Sequence, residues 1–102
     1  MSITIKYLQK YLKSKDYNPE VKEQYFMKLT EEVGEPSRSM LKNQRMTDGW
    51  IKGTIEEELW DVIYYAIAIA NLYDIDLEEI IPLKEKLNNE KYQTDMNFGD
   101  EV

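Results

Sequence analysis

The sequence predicts an all-α fold, a bundle of four to five helices that assembles into an oligomer. Apolar residues recur at spacings of three and four along most of the chain, which is the pattern of a helix with one buried face. Residues that cap helix N-termini precede these segments. With 102 residues the chain forms a single domain, whose small core leaves enough surface exposed for association between copies to add useful burial.

The first helix is predicted to begin after Ser2 as its N-cap and to end near Lys15. Its apolar positions are Ile5, Leu8 and Leu12. Tyr7 and Tyr11 form a second stripe beside them, which is more typical of a core or an interface than of a ligand platform. We keep both tyrosines as weak candidates for stacking on a base.

The second helix is predicted to begin at Pro19, because Asn18 is a good N-cap and proline is well accommodated at the first helical position. Its expected buried stripe is Val21, Tyr25, Leu29 and Val33. Pro36 removes a backbone hydrogen bond to the carbonyl of Glu32, so we expect a kink or break there. The helix would resume through residues 40–41.

Residues 43–53 contain turn formers without a clean period and are predicted to form a loop. Trp50 in this loop could stack on a base or pack into the core, and we favour the core. Lys52 is a weaker candidate for a phosphate contact.

The third helix is predicted to start at Thr54, because Thr54 and Glu57 form a capping box. Residues 62–73 carry no charge, so we expect this helix to be buried on every side, partly by another subunit. Ile67 and Ile69 point about 200° apart, so one should face the core and the other a partner.

The fourth helix is expected to follow Asp76 and Glu79, with an irregular start caused by Pro82 in its second turn. Leu83 and Leu87 continue its apolar face. The domain is therefore assigned to residues 1–92, and residues 93–102 are expected to be loosely ordered.

The composition narrows the classes of partner and of chemistry. With 20 acidic and 13 basic residues the net charge is −7, which argues against a nucleic-acid polymer or a membrane surface as partner. The chain has no cysteine and no histidine, which excludes thiolate chemistry, imidazole-ligated metals and histidine triads. Hard oxygen ligands remain, and these suit Mg²⁺, with Mn²⁺ as the alternative. The N-terminus has no signal-peptide pattern, so we expect a cytoplasmic protein.

Two pairs of acidic residues form the candidate metal site. Glu32 and Glu35 share one helix face, and Glu58 and Asp61 share another. Acids held this close repel one another, which a divalent cation between the pairs would relieve. The alternative is that they form a solvated surface, but both pairs interrupt strongly apolar helices. Lys28, one turn before Glu32, is either a surface lysine or a contact to a phosphate held by the metal.

These motifs resemble the MazG-like all-α nucleoside triphosphate pyrophosphohydrolases. The family signature is EExxE followed some two dozen residues later by ExxD, as in Glu31-Glu32-Val33-Gly34-Glu35 and Glu58-Leu59-Trp60-Asp61. Further similarities are Lys28-Leu29-Thr30, Asn71-Leu72 and the series Lys84, Asn88, Lys91 and Tyr92. The resemblance covers roughly residues 20–92. Pro36 departs from the family, which usually has leucine there.

The resemblance implies a MazG-like helical fold that hydrolyses a nucleoside triphosphate to the monophosphate and pyrophosphate, in house-cleaning of the nucleotide pool. Its metal ligands for Mg²⁺ would be Glu32, Glu35, Glu58 and Asp61. Glu31 would orient or deprotonate the attacking water. Lys28, Lys84 and Lys91 would contact phosphates, and Tyr65 and Asn88 the base or sugar. The expected assembly is a homodimer or homotetramer.

Two alternatives remain open at this point. The chain could be a non-catalytic helical assembly module, which should show no saturable Mg²⁺ site. It could also be a phosphoribosyl-ATP pyrophosphohydrolase of the same superfamily. Pyrophosphate release from a panel of nucleotides would distinguish these possibilities.

Overall fold

A computed structural model describes residues 1–94 and 98–99 of the chain. Its four α-helices are α1 (Ile5–Lys15), α2 (Lys22–Leu41), α3 (Ile55–Leu72) and α4 (Leu77–Tyr92), and a short 3₁₀ turn, Pro19–Val21, precedes α2. The described part of the chain contains no β-strand, only an isolated bridge between Thr47 and Trp50. The all-α prediction is therefore confirmed. None of the helices in these residues combines the length and apolar character needed to cross a membrane.

The helix starts agree with the predicted caps at α3 and α4 but not at α1 and α2. The hydroxyl of Thr4, not Ser2, accepts a hydrogen bond from the Tyr7 N–H at 3.0 Å and caps α1. Asn18 is an N-cap with Pro19 after it, as predicted, but the two begin the 3₁₀ turn, and α2 itself begins at Lys22 rather than at Pro19. The Thr54 hydroxyl accepts from the Glu57 N–H at 3.2 Å and caps α3. Thr4 is the N-cap because α1 begins at Ile5. With Ser2 as the N-cap, the helix would have begun two residues earlier.

Helices α2 and α3 form an antiparallel pair that holds most of the core. Tyr25, near the start of α2, packs with Ala68 and Leu72, near the end of α3. Val33 was predicted to be buried in the same stripe but is 57% exposed. Each step of four residues advances about 40° around a helix of 3.6 residues per turn, so three steps carry Val33 about 120° away from Val21. The predicted stripe therefore leaves the core before it reaches Val33.

Helix α2 continues through Pro36 without interruption, so the predicted break is absent. The segment beyond the proline is held by its contacts with the following loop: Ser39 is buried, and its hydroxyl donates to the carbonyl oxygen of Gly53 at 3.4 Å. These contacts offset the backbone hydrogen bond that proline cannot donate. Helix α4 is likewise helical from Leu77 despite Pro82, with Asp76 as its cap, and the predicted irregular start is wrong.

Helix α1 is tied to the end of α3 and the start of α4 by Gln9. The side-chain NH₂ of Gln9 donates to the Asn71 side-chain oxygen at 3.0 Å and to the Ile75 carbonyl at 2.8 Å. The side-chain oxygen of Gln9 accepts from the Leu77 N–H at 3.0 Å. Leu12 on the same helix is completely buried. Helix α4 packs mainly against α1, and this arrangement leaves Leu83 and Leu87 exposed.

Helix α3 is not covered on every side within one chain. Ile67 is 3% exposed, and Ile69 packs against the Tyr25, Ala68 and Leu72 cluster, so both face the chain's own core rather than dividing between core and partner. Ile63 is 46% exposed and Ala66 is also exposed. The exposed apolar side of α3 therefore includes Ile63 and Ala66.

The loop and the tail complete the chain. Residues 43–53 contain no helix or strand, as predicted, but Trp50 is 66% exposed, so the expectation that it packs into the core is wrong. Loops run over the surface of a domain, and this side chain stays on the surface with its loop. Most of the predicted loose tail, residues 95–97 and 100–102, lies outside the described residues.

Candidate active site

Three predicted metal ligands converge where the middle of α2 faces the first half of α3. Carboxylate oxygens of Glu32, Glu58 and Asp61 all lie within 4.8 Å of one another. The antiparallel packing of α2 on α3 brings them together, because Glu32 projects from one helix and the Glu58–Asp61 pair from the other. We call these three residues the acidic cluster. All three are partly buried.

The acidic cluster is electrostatically strained in the absence of a cation. Two carboxylates at this separation repel by about 3 kcal/mol at an effective dielectric constant near 20. The pKa of Glu58 is raised by burial, and then by Asp61 and Glu35. Burial also raises the pKa of Asp61, with Glu32 as the next cause. A divalent cation would neutralise the charge that the fold concentrates here.

Lys28 lies beside the cluster, on the side nearer the start of α2. Its Nζ is 3.6 Å from a Glu32 oxygen and 3.5 Å from a Glu31 oxygen. The pKa of Lys28 is raised, first by Glu31 and then by Glu32. Glu31 itself is exposed, so its carboxylate is accessible to water at the edge of the cluster.

Glu35, the fourth predicted ligand, is not part of the tight group of three. It is close enough to Glu58 to raise the pKa of that residue, and its carboxylate lies 3.9 Å from Nη1 of Arg38. Glu35 and Glu58 line one side of a cavity of about 290 Å³. The membership of Glu35 in the metal site therefore stays a prediction.

A second cavity, of about 390 Å³, opens beside Lys28. Tyr25 and Tyr65 line it together with Asp16, Asn18 and Gln24, and we call it the tyrosine cavity. Burial raises the pKa of Tyr65, while the positive charge of Lys28 opposes that rise. The structure thus brings Tyr65 and Lys28, both predicted substrate contacts, to one cavity next to the acidic cluster.

Asp16 anchors the wall of this cavity. Its two carboxylate oxygens accept hydrogen bonds from the Tyr25 hydroxyl at 2.7 Å and the Tyr64 hydroxyl at 2.6 Å, which are short charge-assisted bonds. Tyr64 in turn contacts the edges of Trp60 and Tyr65, with ring centroids 6.0 and 4.9 Å away. Asp16 therefore links the turn after α1 to both α2 and α3.

Three predicted substrate contacts on α4 lie elsewhere. The described contacts of Asn88 and Lys91 are local: the Asn88 amide donates to Glu85 at 2.5 Å, and Lys91 lies over the Tyr92 ring, 5.2 Å from its centroid. Neither these residues nor Lys84 lines a described cavity that reaches the acidic cluster. Within one chain, α4 packs mainly on α1 and does not bring them to the cluster.

The sequence pattern missed several residues that line the two cavities. Asp16 and Asn18 were treated only as helix-breaking and capping residues, and Arg38 and Lys42 were not singled out. Asp16 carries no local signal of its role, because its partners Tyr25 and Tyr64 are 9 and 48 residues away in the chain. Arg38 and Lys42 did carry a local signal, because they follow the acidic motif at helical spacing near the end of α2.

Comparison with known proteins identifies both a matching family and similar solved structures. Residues 21–93 match the MazG nucleotide pyrophosphohydrolase domain. The crystal structure of N-terminally tagged iMazG from Vibrio DAT 722 superposes with a TM-score of 0.78 at 46% identity, covering 88% of this chain and 98% of that one. A C-terminally tagged iMazG structure gives a TM-score of 0.78 at 45% identity, covering 85% of this chain and 99% of that one.

A further chain of C-terminally tagged iMazG gives a TM-score of 0.61 at 49% identity, covering 72% of this chain and 95% of that one. A comparison with curated proteins finds no match. The domain match spans well over half of the chain and contains both acidic motifs. The chain therefore belongs to the MazG nucleotide pyrophosphohydrolase family and is a nucleoside triphosphate pyrophosphohydrolase.

Proposed function

We propose that this protein hydrolyses a (deoxy)nucleoside triphosphate between the α- and β-phosphates, giving the monophosphate and pyrophosphate, in house-cleaning of the cytoplasmic nucleotide pool. The observation that carries this proposal is the convergence of Glu32, Glu58 and Asp61 between α2 and α3. The family match supplies the reaction class.

The donor set fits Mg²⁺, with Mn²⁺ as the alternative. Only carboxylate oxygens are offered, and the chain has no histidine or cysteine that would favour softer metals. Glu32, Glu58 and Asp61 would hold the ion, with Glu35, which lies near Glu58, as the fourth ligand. When bound, Mg²⁺ would neutralise charge on the phosphate oxygens and polarise the phosphorus.

The residues around the acidic cluster would activate the water and bind the phosphate. Glu31 is exposed beside the cluster and would orient the attacking water and accept its proton. The water oxygen forms a bond to the α-phosphorus, the bond to the αβ-bridging oxygen breaks, and that oxygen leaves with pyrophosphate. Lys28 would contact the α-phosphate, because its ammonium lies between the acidic cluster and the tyrosine cavity.

The tyrosine cavity supports a place for the nucleoside. Tyr65 offers aromatic surface, and Asn18 and Gln24 offer amide groups for hydrogen bonds. The Asn18 oxygen accepts from the Glu20 N–H, so in this orientation of the amide the NH₂ group would be the part that donates to a ligand. A cavity of about 390 Å³ is in the range of small-molecule sites.

We further propose that the enzyme works as a homodimer or homotetramer. The radius of gyration of one chain is 16.0 Å, whereas a compact chain of this length has a value of about 13 Å. Exposed apolar side chains on α3 and α4 support association, among them Ile63, Leu83 and Leu87. Lys84, Asn88 and Lys91 could then reach the acidic cluster of a neighbouring copy.

A nucleotide panel tests the proposal. Canonical and modified NTPs and dNTPs, with phosphoribosyl-ATP included, are incubated with Mg²⁺ or with a chelator and scored for pyrophosphate and orthophosphate. We expect Mg²⁺-dependent pyrophosphate release from one nucleotide class. Release of orthophosphate, or no release from any nucleotide, would contradict the proposal, and phosphoribosyl-ATP as the preferred substrate would favour that alternative. The family match already argues against a non-catalytic assembly module.

A further inference from the structure

The cavity that contains Glu35 lies on the opposite side of the acidic cluster from the tyrosine cavity. It lies between the second half of α2 and the start of α3, and has a volume of about 290 Å³. Glu35 and Glu58 line the part next to the cluster, and Arg38 and Lys42 line the part farther along α2. We call it the arginine cavity.

The floor of the arginine cavity is fixed by backbone contacts between α2, the loop and α3. The Gln44 N–H donates to the Ser39 carbonyl at 3.0 Å, and the Ile55 N–H donates to the Gln44 carbonyl at 2.8 Å. The Ser39 hydroxyl reaches the Gly53 carbonyl at 3.4 Å. The two basic side chains therefore project from a helix whose position relative to α3 is set.

The chemistry of this cavity changes when a cation binds to the acids. In the free protein Arg38 is paired only loosely with Glu35, at 3.9 Å, and its side chain is 73% exposed. If Glu58 and Glu35 held a divalent cation, Arg38 and Lys42 would be left as two positive charges without an acidic partner among the residues that line the cavity. Arginine is suited to bidentate contacts with phosphate oxygens, and lysine to a point contact.

The order of charges along α2 indicates how a bound nucleotide would be oriented. Lys28 and the tyrosine cavity lie toward the start of the helix, the acidic cluster lies in the middle, and Arg38 and Lys42 lie toward the end. Arg38 is six residues beyond Glu32, or about 9 Å along the helix axis. A nucleotide lying along α2 with its nucleoside in the tyrosine cavity would present its distal phosphates to these two cations.

Resting on the proposed function, we propose that Arg38 and Lys42 form a binding site for the β- and γ-phosphates of the substrate and, after cleavage, for pyrophosphate. This fixes the orientation of the triphosphate along α2. It also separates the two products, with the monophosphate held on the Lys28 side of the acidic cluster and pyrophosphate on the Arg38 side.

Separate measurements of the two products test this site. Pyrophosphate binding in the presence of Mg²⁺ is measured by calorimetry for the wild type, Arg38→Gln, Lys42→Gln and the control Arg45→Gln. Arg45 is also an exposed cation near the end of α2, but it pairs with Glu56 at 2.9 Å and does not line the cavity. Inhibition of turnover by pyrophosphate and by the nucleoside monophosphate is then compared in the same proteins.

We expect Arg38→Gln and Lys42→Gln each to weaken pyrophosphate binding by roughly tenfold, while inhibition by the monophosphate changes by less than about twofold. Arg45→Gln should leave both unchanged. Equal loss for both products, or an unchanged pyrophosphate affinity in both cavity variants, would overturn the assignment, as would a wild type that does not bind pyrophosphate.

The calorimetric measurement also separates this site from the reaction. If Arg38 and Lys42 bind pyrophosphate but no nucleotide is hydrolysed, the phosphate site stands and the proposed function fails. If nucleotides are hydrolysed but Arg38→Gln and Lys42→Gln bind pyrophosphate normally, the reaction stands and this site is wrong.

Discussion

At the scale of single residues, Asp61 has opposite effects on stability and on activity. Its carboxylate is repelled by Glu32 in the free protein, yet it belongs to the group that would hold the metal. Asp61→Asn should lower kcat by at least roughly a hundredfold and leave the metal-free melting temperature unchanged or higher. Glu35→Gln should have the same effect on kcat if Glu35 joins the site. Steady-state kinetics and thermal unfolding of the same preparations provide the measurements.

The control for these variants is Glu23→Gln. Glu23 is an exposed acid in the first turn of α2, so the substitution changes the net charge equally but lies outside the cluster. Wild-type turnover in Asp61→Asn would rule out the metal assignment for that residue. Wild-type turnover in Glu35→Gln alone would restrict the site to the three clustered acids.

Metal binding should also raise the melting temperature of the protein. A ligand that binds only the folded chain stabilises it by about 2.7 kcal/mol at a concentration roughly a hundred times Kd. Mg²⁺ should therefore raise the melting temperature of the wild type and of Glu23→Gln, but not that of Asp61→Asn. A titration monitored by scanning calorimetry measures this, and equal shifts in all three proteins would indicate binding away from the acidic cluster.

The contacts of Asp16 predict a loss of stability at alkaline pH. Burial, and then the hydrogen bond to Asp16, raises the pKa of Tyr25 to about 12, and the same causes raise the pKa of Tyr64. An unfolded tyrosine has a pKa near 10. The neutral tyrosine is thus favoured in the folded chain, and its contribution is complete below about pH 10 and is lost as pH rises toward about 12.

The measurement is the free energy of unfolding by urea at intervals from neutral to alkaline pH. The wild type should lose more stability than the Tyr25→Phe, Tyr64→Phe double variant above pH ~10, because the variant has no hydroxyl to ionise at these positions. The comparison removes the common effect of lysine titration. Parallel curves for the two proteins would show that the Asp16 hydrogen bonds do not control the alkaline transition.

At the scale of helices, Pro36 is the local anomaly in α2. It lies inside the helix and cannot donate to the Glu32 carbonyl. Pro36→Ala should restore that hydrogen bond and raise the free energy of unfolding by about 1–3 kcal/mol. Gly34→Ala is the matched comparison, since no atom lies within 4 Å of an added Cβ and only helix propensity is gained, about 1 kcal/mol. A Pro36→Ala gain no larger than that of Gly34→Ala would mean that the helix has already adapted to the proline.

Features that depend on neighbouring residues in the chain could be predicted from the sequence. The start of α3 at its Thr54 cap, the Asn18 cap of the 3₁₀ turn and the pairing of Glu58 with Asp61 all follow from local sequence patterns. The continuity of α2 through Pro36 could not, because it depends on contacts such as the Ser39 hydrogen bond to the loop. The hydrogen bonds of Asp16 and the packing of α4 on α1 also depend on contacts between distant segments of the chain. No local sequence pattern encodes such contacts.

At the scale of the whole molecule, the exposed side of α3 gives a sharper test of assembly than its buried residues. Ile67→Glu places a charge at a position that is 3% exposed and should unfold the chain, because an unpaired charge there loses its water. Ile63→Glu lies on the exposed side and should leave the single chain folded but weaken the oligomer. Light scattering gives the mass, and circular dichroism reports the fold.

The wild type must first show an oligomer in the same light-scattering measurement. A monomeric wild type at micromolar concentration would contradict the proposed dimer or tetramer. An oligomer that survives Ile63→Glu would place the interface elsewhere, for example on the exposed Leu83 and Leu87 of α4. Activity of a dissociated but folded variant would then show whether each site needs residues from a neighbouring copy.

The small core of a single chain bears on how long each copy survives after synthesis. The described core of buried apolar residues consists of Leu12, Tyr25, Ile67, Ala68, Ala70 and Leu72. Single domains are only marginally stable, so an isolated copy with a core of this size would be expected to open transiently and become accessible to proteases. In the proposed assembly, copies protect one another, and their lifetime increases with their number. The amount of active enzyme would then rise more steeply than its rate of synthesis, and proteolysis would keep it low when expression is weak.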